Sequence, residues 1–141
     1  MITQFINEHR FLSNFWPAQV TIEGLTYPSV EHAYQAMKTT VNAERLPFTN
    51  PHRPAWDAKR MGRHLTLRPD WAYVRIDIMQ QLIRQKFQEP TLREKLLATE
   101  DRQLIEGNSW GDRYWGQSPV GQGENYLGRI IMQTRKEIAT S

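Results

Sequence analysis

The stretch Gln19-Val-Thr-Ile-Glu-Gly-Leu-Thr-Tyr-Pro-Ser-Val-Glu-His-Ala-Tyr-Gln-Ala-Met-Lys38 decides the fold. Val20 and Ile22 alternate with polar residues over Gln19 to Glu23, the period of a half-buried strand. Gly24 is a turn residue, and Leu25 and Tyr27 begin a return strand that Pro28 is expected to end. Ser29 is a favoured N-cap, and a helix is predicted from Val30 to about Thr40. Glu31 in its first turn and Lys38 near its far end both carry the sign that suits the helix dipole.

Outward from this hairpin and helix, Ile2 to Ile6 reads as an edge strand. Phe11-Leu-Ser-Asn-Phe-Trp-Pro17 reads as a turn with packed rings, or as an Asn held between aromatics for a ligand amide or ribose hydroxyl. On the other side, Leu46 to Pro54 holds three prolines and is expected to be a loop. Pro54 opens a short helix and Gly62 closes it. A longer helix is predicted behind Pro69, roughly Asp70 to Glu89. Its apolar stripe is Trp71, Val74, Ile78, Leu82 and Met79, Ile83, Phe87. Pro90 breaks it. Thr91 to Glu94 has capping-box spacing and starts another helix through about Ala98. Gln103 to Glu106 reads as a short strand, and Asn108 to Glu124 as a loop. Asn125 caps a last helix with Leu127, Ile130, Ile131, Thr134 and Ile138 inward. The expected class is α+β: a single compact, mostly helical domain over residues 1–141 with a small N-terminal β-sheet.

Composition narrows the function. At 141 residues the chain can bury a core without disulfides. Trp, Tyr and Phe number five each and charged residues make up only 23%, which excludes a largely disordered chain. There is no cysteine, so thiol nucleophiles, disulfides and iron–sulfur clusters are excluded. No basic segment followed by an apolar run opens the chain, and no stretch approaches the roughly 20 apolar residues of a membrane span. A cytoplasmic protein with no membrane partner is expected. The net charge of +3 favours an anionic ligand without identifying one. His9, His32, His52 and His64 lack HxxxH or HExxH spacing, so no metal site is expected.

Two constellations remain. On a helical wheel Glu31, Gln35 and Lys38 fall at i, i+4 and i+7, in one row beside the apolar stripe of Val30, Ala33, Tyr34 and Met37. Lining a cleft, the row supplies an acid or base, an amide and an amine nucleophile. On a surface it is an ordinary solvated face. The second is Trp110-Gly-Asp-Arg-Tyr-Trp-Gly116 with Gly121-Gln-Gly-Glu-Asn125, two tryptophans, a tyrosine and four glycines in one loop. Aromatic faces there suit a base. The helix opening at Asn125 offers N–H groups to an anion. The alternative is a loop pinned to the core by its rings. Met61-Gly62-Arg63 ends a helix with an arginine able to bind phosphate.

Taken in order, these pieces resemble the NADAR superfamily, the YbiA-like proteins. The resemblance rests on Leu12-Ser-Asn-Phe15, Tyr27 to Lys38, Met61-Gly-Arg63, Trp71, Lys86-Phe87, Leu104-Ile-Glu106, Asp112-Arg-Tyr-Trp-Gly116, Gly121 to Asn125 and Leu127-Gly128. It implies an N-glycosidase that cleaves bonds between ribose C1 and nitrogen without a cofactor. The substrates it implies are phosphorylated riboflavin-pathway intermediates, or ADP-ribose on guanine of DNA or RNA. It implies Glu31, Lys38, Asp112 and Trp115 as catalytic residues. Asn14, Phe15, Tyr34, Gln35, Gly62, Arg63, Gly121, Gly123 and Asn125 are the expected substrate-binding residues. Thr39 stands where an aromatic often follows the lysine, and Tyr27 where Trp is frequent. The Pro-rich segment Asn42 to Trp56 carries no motif and is a candidate for substrate choice. The competing readings are a non-catalytic nucleotide or ADP-ribose reader and a basic single-strand binder.

Overall fold

A computed structural model describes every residue, Met1–Ser141. The chain forms two compact units, one of residues Asn14–Lys86 and one of Met1–Ser13 with Phe87–Ser141. The architecture is α+β: helices dominate, with a two-stranded antiparallel sheet.

In the first unit β1 (Pro17–Ile22) pairs with β2 (Leu25–Ser29), Val20 opposite Tyr27 and Ile22 opposite Leu25. Glu23 and Gly24 both take left-handed backbone, at φ 48° and 84°, which closes the hairpin in two residues. Pro28 does not end β2, which continues to Ser29. The proline sits opposite an irregularity in β1, where a missing N–H is tolerated.

Ser29 is extended, and its hydroxyl accepts from the His32 amide at 3.2 Å, the cap that starts α1 (Val30–Ala36). Such a cap contributes about 1 kcal/mol. Every residue of α1 is buried, and the helix packs on both strands, on α3 (Ala55–Met61) and on α4 (Trp71–Lys86). It stops at Ala36 rather than Thr40. The Thr39 hydroxyl accepts from the Val41 amide at 3.1 Å, a local bond that competes with helix.

The expected loop Leu46 to Pro54 is instead partly ordered. α2 (Asn42–Arg45) runs into a 3₁₀ turn, Leu46–Thr49, that buries Phe48 completely. Pro54 caps α3, and Gly62 ends it in right-handed backbone. α4 is shorter than expected because Glu89, foreseen as its end, belongs to the next helix. Trp71, Ile78, Met79, Leu82 and Ile83 of its stripe are buried, and Val74 is half-buried. Burial pushes the amine of Lys86, at its end, down to about 7.

In the second unit the predicted strands Ile2 to Ile6 and Gln103 to Glu106 do not form. A single parallel bridge, Ile2 to Leu104, joins them, and Asn7 at φ 53° turns the chain into a 3₁₀ helix, Asn7–Leu12. Phe11 and Leu12 are buried there. In α5 (Pro90–Leu97) Pro90 takes the first position, and the Glu89 side chain accepts from the Leu92 amide at 2.9 Å. The capping residue is therefore Glu89, not Thr91. α6 (Tyr126–Ala139) buries Leu127, Ile130, Ile131 and Thr134 and packs on α5. No helix is long and apolar enough to cross a membrane.

Candidate active site

The row read along α1 is buried on the hub helix of its unit. Glu31 is only 7% exposed. Its amide donates to the Asn14 carbonyl at 3.1 Å, and its Oε1 accepts from Gln35 Nε2 at 2.8 Å. The i+4 amide thus orients the carboxylate. Asn14 itself is buried, its Nδ2 set against the Met79 sulfur at 3.6 Å.

Gln35 is held from behind by Gly62. A Cβ at Gly62 would overlap Gln35 Oε1 and lie 2.7 Å from its Cδ. Gly62 is thus a position of close approach rather than a left-handed cap, a reason that sequence alone does not give. Gly62→Ala is expected to push Gln35 off Glu31 and to destabilise by about 1–3 kcal/mol, the usual cost of overpacking. The check is thermal melting beside a Gln35→Ala variant, in whose background the Gly62 change should cost little more.

Lys38 lies two residues past α1, in the turn that follows it, and is half-buried. Its Nζ stands 5.9 Å from the centroid of the Tyr34 ring, which tilts against Trp71 at 5.1 Å. Burial lowers the amine below its ordinary value. Glu31 opposes that, while the positive charges of Arg63 and Lys59 add to it. These causes bring Glu31, Lys38, Arg63 and Lys59 into one electrostatic neighbourhood. Lys59 escaped the sequence reading. Its signal was the four-residue spacing to Arg63 across the end of α3. Phe15 is 43% exposed.

His32, beside Glu31, shares hydrogen bonds with the Ser29 hydroxyl and with the Arg53 carbonyl, both at 2.6 Å. Burial lowers its pKa. It ties α1 to the Pro-rich segment, in which Trp56 is exposed.

The remaining predicted residues belong to the second unit. Asp112 Oδ1 accepts from the Trp115 and Tyr114 amides at 2.9 and 3.1 Å, so the carboxylate shapes its own loop. Buried Asn108 closes the same turn, accepting from the Asp112 amide at 3.1 Å and donating to its carbonyl at 2.9 Å. Trp115 meets Tyr114 edge to face at 4.8 Å. Gly121 and Gly123 are exposed with left-handed backbone.

Asn125 corrects the expectation. It precedes α6 at φ 51°, and its side chain makes no cap bond. Its Oδ1 accepts from the Glu106 amide and its Nδ2 donates to the Leu104 carbonyl, both at 2.9 Å. The amides of Asn125, Tyr126 and Leu127 donate to the carbonyls of Gly116, Tyr114 and Trp115. The helix start foreseen as an anion site therefore has these N–H groups satisfied from within the chain.

A carboxylate oriented by an amide, an amine weakened by burial and two further cations can stabilise a sugar cation, attack its carbon and hold a phosphate. Known proteins point the same way. The NADAR domain model matches residues 3–139. N-glycosidase YbiA of Escherichia coli is 37% identical over 90% of this chain and 80% of its own length. N-glycosidase Npun_R5314 of Nostoc punctiforme is 37% identical over 89% of this chain and 83% of its own. Riboflavin biosynthesis protein VVA0006 of Vibrio vulnificus is 39% identical over 92% of this chain, which spans only 36% of that longer protein. The NMR structure of Escherichia coli YbiA superposes with a TM-score of 0.84 at 34% identity, covering 99% of this chain and 86% of that one. The chain belongs to the NADAR family.

Proposed function

We propose that this N-glycosidase, a hydrolase of N-glycosyl bonds, cleaves the bond between nitrogen and C1 of a phosphorylated ribosyl group. The observation that carries the reading is the oriented, buried Glu31 in the electrostatic neighbourhood of an amine held below its ordinary pKa. As the C1–N bond breaks, its electron pair leaves with the base, which takes up a proton. Positive charge grows on C1 and the ring oxygen. The Glu31 carboxylate faces that charge. Neutral Lys38 then bonds to C1, sheds a proton, and the ring opens to an imine. Water hydrolyses the imine, frees the sugar and returns the amine. Arg63 and Lys59 hold the phosphate.

Phosphorylated riboflavin intermediates are the favoured substrates. Both VVA0006 and a maize relative, 35% identical over 89% of this chain, are named riboflavin biosynthesis proteins. ADP-ribose on guanine of DNA or RNA has the same bond type and phosphate chemistry. The proposed setting is the cytoplasm. Purified protein offered each substrate in turn, with free base and sugar measured, tests the reading. Release from the riboflavin intermediates is the expected result. Release only from ADP-ribosylated nucleic acid reassigns the substrate, and binding without release makes the chain a reader.

A further inference from the structure

We propose that Arg45 is a positioning residue for Lys38, acting through the backbone that carries it. The inference rests on the reading of Lys38 as the reactive amine. Because α1 ends at Ala36, no further helical turn follows to secure the carbonyls around Lys38. Two arginines replace it. The Lys38 carbonyl accepts from the Arg68 amide at 2.7 Å, and the Met37 carbonyl from Arg68 Nη1 at 3.4 Å. The next carbonyl, of Thr39, accepts from Arg45 Nε at 2.8 Å.

Arg45 is the more telling of the two because it is only 4% exposed. Its Nη1 reaches the Glu23 carboxylate at 3.1 Å, in the left-handed turn of the hairpin. One guanidinium thus spans from the β1–β2 turn to the residue after Lys38. Buried beside this contact, Arg45 Nη2 and the Tyr27 hydroxyl have no hydrogen-bond partner. A buried guanidinium with one donor unmet, paired to a half-exposed carboxylate, is a poor device for stability, since its desolvation cancels much of the attraction. It is a good device for geometry: the planar fork fixes two directions at once, which a lysine amine at the end of a flexible stem does not.

The test compares Arg45→Lys and Glu23→Gln with the unaltered chain. Glu23 is half-exposed, so its variant keeps the core and loosens only the outer anchor. Two quantities are read: the split between kcat and KM, and the rate at which an amine-selective reagent labels Lys38, followed by mass spectrometry against the other lysines. Misplacing a reactive group by about 1 Å costs up to about 10²-fold. Arg45→Lys should therefore lower kcat about 10- to 100-fold with KM nearly unchanged, and should alter Lys38 labelling alone. Glu23→Gln should move both readouts the same way by a smaller factor. If Arg45→Lys fails to fold, Glu23→Gln decides. Folded variants with unaltered kcat and unaltered Lys38 labelling, even with a lowered melting temperature, overturn the proposal. Lys38→Ala retaining full activity would defeat the underlying reading instead, while the labelling comparison still reports on the clamp.

Discussion

Glu31→Gln is expected to leave substrate binding nearly intact and to lower kcat about 10²- to 10⁴-fold, the range of a positioned acid–base or charge-stabilising group. The substitution is close to isosteric. An amide oxygen at position 31 still accepts from Gln35 Nε2, and the backbone bond from residue 31 to Asn14 is untouched. What disappears is the negative charge on a group that is only 7% exposed, where water cannot substitute for it. Steady-state kinetics together with calorimetric binding separate the outcomes. A reader of nucleotides would lose nothing. An enzyme would keep affinity and lose turnover, and an unchanged kcat would remove Glu31 from the chemistry.

Lys38→Ala should cost at least as much, because it deletes the proposed nucleophile and not merely a stabilising charge. Borohydride should trap a sugar on the unaltered chain and none on the variant. The pH dependence carries a definite sign. The attacking amine must be neutral, so the rate should rise as pH passes upward through the pKa of Lys38. Burial first, then Arg63 and Lys59, place that pKa below the ordinary lysine value against the opposing pull of Glu31. The limb should vanish in the alanine variant. Full rate without Lys38 would leave direct attack by water as the mechanism.

Much of this arrangement was legible along the chain, for identifiable reasons. The alternation of Val20 and Ile22, the Gly24 turn and the Ser29 cap are local signals, and they formed as read, although Glu23 joins the turn and not the strand. The spacing of Glu31 and Gln35 became a hydrogen bond because both lie inside one regular helix. Signals failed where a distant segment decided the outcome. Asn125 resembles a cap by type, but Leu104 and Glu106 engage its side chain first. Gly62 resembles a helix terminator, yet it is required by a side chain 27 positions earlier. Arg45 gave no signal at all. An arginine after a lysine-bearing turn is unremarkable until the chain folds Glu23 and Thr39 onto it.

The amides that open α6 have a mechanical consequence. Loop carbonyls at Tyr114, Trp115 and Gly116 are already engaged by them. Swinging the tryptophan segment aside means fraying the first turn of that helix. The loop is thereby braced by the helix it leads into, and is not hung as a free flap.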